Sequence, residues 1–249
     1  MNKVITGRDI GDTWVKAMQY LQTVQFEAYN LIAEIDQPII NDQELHQKLN
    51  AILRELGDQP VETVANTIFP IGLIDSMKNR QSFYSRFMAL YPTLRKIPES
   101  SRGTYFGRLV AWNFESSPEY PFNQVEHTIN KLIQAKQKKN RIRVRYEMSI
   151  YDPQLDCNMT MGFPCMSFIS VKIRGEFIDL TAIYRNQHFI QKAYGNYLGL
   201  SNLLRFIAKE SGFQFGKLTC IATHAGLGRI DKSNLNRLLL SDEQLTLDL

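Results

Sequence analysis

Cys165 and Arg185 are the residues whose chemistry stands out first. Cys165 follows a proline, which holds the preceding backbone extended. Met166 to Ile173 then alternates with a two-residue period: Met166, Phe168 and Ser170 on one face, Ser167, Ile169, Val171 and Ile173 on the other. Gly175-Glu176 can turn the chain, and Phe177 to Tyr184 is rich in β-branched and aromatic residues. The two segments read as a hairpin whose open end sets Cys165 beside Arg185. A guanidinium next to a thiol favours the thiolate, the reactive form. The rival reading is a small buried core cysteine and a surface arginine.

Three further groups could recognise an anionic, hydrogen-bonding substrate. Arg141 to Tyr151 reads as a strand, with Ile142, Val144, Tyr146, Met148 and Ile150 alternating with Arg141, Arg143, Arg145, Glu147 and Ser149. Guanidinium groups on one face can grip phosphate through paired hydrogen bonds. They can equally form a solvated face continuing Lys136, Lys138 and Lys139. Asn196 stands at the entrance of a helix reaching Ser211, where it can cap the helix. Its amide can instead read a 4-keto pyrimidine, donating to a carbonyl and accepting from a ring N–H. His224 closes a strand marked by Leu218, Cys220 and Ala222, and can contact a sugar or phosphate or hold a structural hydrogen bond. His188 is an acid/base candidate or a turn histidine.

From Pro164 to Ala225 the chain resembles thymidylate synthases and the related pyrimidine-nucleotide hydroxymethylases. Pro164-Cys165 opens a strand as that family's nucleophile does, and Arg185, twenty residues on, has the spacing of its phosphate-binding arginine. Asn196, eleven residues further, matches its base-reading asparagine, and His224 in "THA" its sugar-contacting histidine. Upstream, "GTYFGRLVAW" with Tyr105 looks like the family's tyrosine-glycine segment, and "NRIRVRYEMSIYDP" like its arginine strand. The resemblance implies one α+β domain over 1–249, with a large mixed sheet flanked by helices and a sheet face forming a homodimer interface. It implies Cys165, Arg185 and Asn196 as catalytic residues. Substrate contacts would come from Arg141 across the interface, Arg143, His224, Asn186, Tyr105 and His188. It also implies a pyrimidine nucleotide monophosphate as substrate and 5,10-methylenetetrahydrofolate as one-carbon donor, with no metal. The departures are specific. Met166 replaces a histidine, Asn186 and His188 replace a serine and an aspartate, and Gly226 replaces a tyrosine. The family's N-terminal phosphate-binding arginine loop and its "HELLW" stretch have no counterpart, and Glu62 is the nearest acidic candidate. A homologue that binds nucleotide without folate-dependent turnover is therefore the alternative.

The elements that must position these residues are readable in part. Asp9 or Asp12 can cap a helix carrying Trp14, Met18 and Leu21, and Phe26 to Ile35 can form a strand. Asn41 to Leu56 is a helix stopped by Gly57; Asn79 to Leu94 and Gln124 to Gln137 are two more. Thr63 to Met77, interrupted by Pro70 and Gly72, reads as a loop packed under the sheet, and Pro98 to Gly103 as a second loop. After Arg229 a short helix precedes an acidic terminus. A hydrophobic fraction of 44% suffices for one large core. No apolar run approaches bilayer length, no signal-peptide block opens the chain, and three unevenly spaced cysteines suggest neither disulfides nor zinc. These features predict a soluble cytoplasmic protein. A net charge of +4 suits a small anionic substrate. Nucleic acid is disfavoured, because the basic segment 136–145 lacks interleaved aromatic residues.

Overall fold

The computed structural model describes residues 3–74, 79–114, 116, 121–138, 142 and 144–239. Its elements run β1 (Lys3–Gly7), α1 (Ile10–Thr23), β2 (Glu27–Ile35), α2 (Gln43–Glu55), α3 (Val61–Ile68) and α4 (Arg80–Leu94). Then come α5 (Tyr105–Val110), α6 (Gln124–Gln137), β3 (Glu147–Ser149), α7 (Pro153–Asp156), β4 (Met166–Arg174), β5 (Phe177–Tyr184) and β6 (Gln187–His188). A π-helical turn (Phe189–Ala193) leads into α8 (Tyr194–Ser211), followed by β7 (Gln214–Gly226) and α9 (Lys232–Leu239). The strands form one mixed sheet in the order β1-β2-β7-β5-β4-β3, with β6 also paired to β7. Parallel pairing joins β1 to β2, β5 to β7 and β6 to β7, and the remaining pairs are antiparallel. This is the expected large mixed sheet flanked by helices.

Period-two patterning explains the layering. Leu218, Cys220 and Ala222 of β7, Leu180, Ala182 and Tyr184 of β5, and Ile169 and Val171 of β4 are almost fully buried beneath the helices. The alternate residues Phe168, Thr181, Ile183, Thr219 and Ile221 are only half-buried. One sheet face therefore carries the core and the other stays open.

Caps set the helix ends where the sequence predicts. The side chains of Asp9, Asp42, Asn79 and Asn123 accept backbone N–H bonds at the starts of α1, α2, α4 and α6. Gly57 (φ 70°) and Gly212 (φ 76°) take the left-handed conformation after α2 and α8.

Three expectations are corrected. The segment from Val61 to Ile68 is a helix, because α8 offers it a glycine ridge. A Cβ on Gly199 would lie 2.7 Å from the Ala65 carbonyl oxygen, and one on Gly195 would lie 2.8 Å from that of Val61. Gly199→Ala should therefore separate α3 from α8 and cost about 1–3 kcal/mol. A thermal melt would read this, and an unchanged midpoint would contradict the close packing. Second, the strand expected over Arg141 to Tyr151 is regular only over Glu147–Ser149 among the described residues, flanked by backbone bonds that join Tyr146, Ile150 and Tyr151 to β4. Tyr146, Met148 and Ile150 do point into the core, but Val144 is 76% exposed. Third, β4 does not alternate without interruption. Its register shifts between Met166 and Phe168, and this bulge turns Met166 to the core face with Ile169 and Val171.

Candidate functional site

The hairpin brings Cys165 and Arg185 together as its length requires. Met166 pairs with Tyr184, and the Arg185 N–H donates to the Cys165 carbonyl at 2.9 Å. The Arg185 side chain stacks 3.5 Å from the Phe163 ring centroid. Its Nε and one terminal nitrogen donate to the carbonyls of Pro164 (3.3 Å) and Phe163 (3.2 Å). It makes no ion pair with a carboxylate among the described residues. Tyr105, the first residue of α5, sits against the Cys165–Met166 peptide. Its pKa is pushed up by burial first and by the Cys165 thiol second.

Burial works against the preference for thiolate that Arg185 confers. Burial raises the Cys165 pKa, and Arg185 and then Lys192 only partly offset it. Alkylation of Cys165 by iodoacetamide should therefore rise with pH to a midpoint above that of an ordinary cysteine. Arg185→Gln should lift the midpoint further and slow alkylation near neutrality several-fold. Peptide mass mapping separates Cys165 from Cys157 and Cys220, and an unmoved midpoint would exclude Arg185 as the stabilising cation.

A second cluster lies on β2, β6 and β7. Tyr29 and His224 are directly opposed in the β2–β7 ladder, and Glu27 faces Gly226 two residues along. Glu27, Tyr29, His224 and Gly226 consequently share one face. Glu27 Oε1 lies 2.5 Å from His224 Nε2, and Asn186 Oδ1 lies 2.7 Å from His224 Nδ1. Asn186 Nδ2 lies 3.4 Å from His188 Nε2. His188 in turn lines a cavity of about 550 Å³ together with Phe26, Glu27, Asp58, Lys192 and Gly226. The π-helical turn that carries Lys192 is pinned by Trp14, whose indole donates to the Phe189 carbonyl at 3.0 Å.

Lys192 links the two clusters. Its amine donates to the Gln59 side chain at 3.0 Å and forms no ion pair among the described residues. Burial lowers its pKa, with Asp58, Cys165 and Glu99 acting in the opposite sense. His188 is likewise lowered by burial first, then by His224 and Lys192.

Other expected residues fall differently. Asn196 is the third residue of α8 and caps nothing, because the π-helical turn runs directly into the helix. It is 3% exposed. Among the described residues, the hydroxyls of Tyr184 and Tyr197 and the amide of Gln187 are buried without partners. Such groups are costly to leave dry. β7 continues past His224 to Gly226. Arg141 and Arg143 lie outside the described residues. Glu62 pairs with His46 at 3.0 Å and accepts from Asn50. Sequence reasoning missed Lys192 and Glu27. Lys192 lay in view between Arg185 and Asn196, whereas Glu27 emerges only through strand register. Among the described residues, no group of three or more metal-ligating side chains occurs and no helix is long and apolar enough to cross a membrane.

No protein-family model matches the chain. Proteins named "Putative thymidylate synthase" from several organisms are similar to it. The one from Methanosarcina mazei is 31% identical over 122 residues, which is 49% of this chain and 51% of the relative. The Methanococcoides burtonii protein is 27% identical over 136 residues, covering 55% of this chain and 57% of the relative. The Methanothermobacter marburgensis protein is 22% identical over 221 residues, covering 85% and 86%. The chain thus spans about half the length of the first two relatives at the higher identities. Its sequence is distantly similar to proteins carrying the thymidylate synthase name.

Proposed function

We propose that the protein is a thymidylate synthase-like transferase moving a one-carbon unit to C5 of a uridylate-type nucleotide. The carrying observation is a thiol beside cations that have no carboxylate partner among the described residues: Cys165 against Arg185, with Lys192 within electrostatic reach. A monophosphate would provide the missing counter-charge, and Arg185 would bind it together with Arg141 of a second copy. Addition of the Cys165 sulfur to C6 would make C5 nucleophilic and split a hard substitution into easier covalent steps. Asn196, buried in the first turn of α8, would donate to O4 as charge develops there and accept from the ring N–H. Tyr105 would hold the Cys165–Met166 peptide, and His224 and Asn186 would meet the sugar or phosphate. The open sheet face, with half-buried Phe168, Ile183 and Ile221, suits a homodimer interface.

The cavity beside His188 fits a folate in volume and chemistry. Its roughly 550 Å³ lies in the range of cofactor sites; Phe26 can stack on a flat ring, and Lys192 and Arg229 can meet acidic groups. Methylenetetrahydrofolate held there would supply the one-carbon unit.

The second reading, nucleotide binding without turnover, is favoured by Glu62, which is committed to His46 and Asn50. Tritium release from 5-tritiated deoxyuridylate distinguishes the two. Release dependent on both Cys165 and methylenetetrahydrofolate is expected. Calorimetric binding without release selects the second reading, and a preference for deoxycytidylate would remove the assigned role of Asn196.

A further inference from the structure

Across one end of the sheet, side chains stand in a row that begins at the proposed phosphate site and ends at a carboxylate. The Thr223 hydroxyl donates to the Arg185 carbonyl at 3.0 Å, which ties the end of β5 to β7. Asn186, the next residue, lies 2.7 Å from His224 Nδ1, and Glu27 Oε1 lies 2.5 Å from His224 Nε2. The row is therefore Arg185, Asn186, His224, Glu27, a cation at one end and an anion at the other. The ring of Tyr29 packs 5.4 Å from the imidazole. His224 thus has protein groups at both nitrogens and against its ring, and it supports the row from behind. Glu27 is the member that reaches outward: its side chain is 55% exposed and lines the cavity.

The space before Glu27 is open. Strand pairing sets Glu27 opposite Gly226. A Cβ on Gly226 would meet only His188 Nδ1, at 3.7 Å, so a ligand group can enter between Glu27 and His188. The cavity's other charged side chains have partners of their own: Asp58 is tied to Arg229 at 3.0 Å, and Lys192 donates to Gln59 at 3.0 Å. A carboxylate offers acceptors only, so it selects a group that brings a proton and repels a second anion. With a nucleotide's 5′-phosphate on Arg185, the part that arrives at the carboxylate end is the sugar with its 3′-hydroxyl.

We infer that Glu27 is a specificity-determining residue: its carboxylate, supported by His224, accepts a hydrogen bond from a free 3′-hydroxyl and turns away a nucleotide phosphorylated at that position. The substrate class narrows to 5′-mononucleotides with a free 3′-hydroxyl. Nucleoside 3′,5′-bisphosphates and residues inside a nucleic-acid chain are refused, because each carries a phosphate where Glu27 stands. This inference rests on the nucleotide site proposed above and adds to it the residue that reads the far side of the sugar.

Calorimetry on the intact protein tests it with two probes, deoxyuridine 5′-monophosphate and deoxyuridine 3′,5′-bisphosphate. Wild type should bind the monophosphate about tenfold tighter, the scale of one or two like-charge contacts at a partly exposed site. Glu27→Gln keeps the length of the side chain and an acceptor oxygen but removes the charge, and should bring the two affinities within roughly threefold of each other. Raising the salt concentration should narrow the wild-type ratio and leave the Glu27→Gln ratio unmoved. Amide proton spectra check that the variant folds, and the wild-type comparison is a test without it. Equal affinities in wild type, or a ratio that Glu27→Gln does not change, overturn this inference while leaving the nucleotide site standing. Binding of neither probe removes the nucleotide site itself, and this inference falls with it.

Discussion

Cys165→Ala is expected to abolish tritium release, by on the order of 10⁴-fold or more, while nucleotide affinity changes little. The asymmetry follows from the division of labour. The sulfur forms the bond to C6, and neither a methyl group nor a bound water can replace it. Binding would rest on Arg185 and Asn196, which the substitution leaves in place. Cys165→Ser should be nearly as inactive, because a hydroxyl is a far weaker nucleophile at neutral pH. Arg185→Ala should show the opposite balance, with a raised KM for nucleotide and a smaller loss in kcat. Equal losses of affinity and rate in Cys165→Ala would mean that the thiol packs the site and forms no bond.

Asp156→Ala should produce the largest loss of stability. Arg108 of α5 and Asp156 of α7 are 6% and 1% exposed and form a two-pronged pair at 2.5 and 2.9 Å. Arg108 also donates to the carbonyls of Ile150 and Arg102. The pair thus ties α5, which carries Tyr105, to the end of β3 and to α7. Removing the carboxylate strands a buried guanidinium, at a cost of about 3–5 kcal/mol. For a chain of this size that lowers the melting midpoint by roughly 10 °C. Burial pushes the Asp156 carboxyl up, but the Arg108 hydrogen bond, the Asp152 N–H and the Arg108 charge together bring it below its ordinary value. A folded pKa below the unfolded one contributes stability that is present above the unfolded value and lost as pH falls through the folded value. The gap between wild type and Asp156→Ala should therefore narrow in acid. A gap independent of pH would show that the pair contributes packing alone.

Local patterns carried most of this architecture into the sequence. The hairpin, the capped helices α1, α2, α4 and α6, and α8 with its Gly212 stop all rest on periodicity and capping within a few residues. What the sequence hid depends on distant partners. The bulge after Met166 reverses the face of one residue, and only the β4–β5 pairing reveals it. The helix from Val61 looked like a loop because its stability comes from Gly195 and Gly199, more than a hundred residues on. β1 is a short edge strand whose partner β2 determines it. At the site, the juxtaposition of Cys165 with Arg185 was legible because a hairpin forces it. The protonation preference of Cys165 was not, since burial by the whole core outweighs the neighbouring cation. Glu27 was invisible for the same reason as β1: register across strands, not spacing along the chain, sets it beside His224.

The central claim, that Cys165 attacks a pyrimidine ring held by Arg185 and Asn196, meets its most direct test in one intact-mass measurement. The protein is incubated with 5-fluoro-2′-deoxyuridylate and methylenetetrahydrofolate and weighed without digestion. The account predicts a mass increase equal to nucleotide plus folate, absent in Cys165→Ala. An unmodified mass under conditions where calorimetry shows both ligands bound would contradict it.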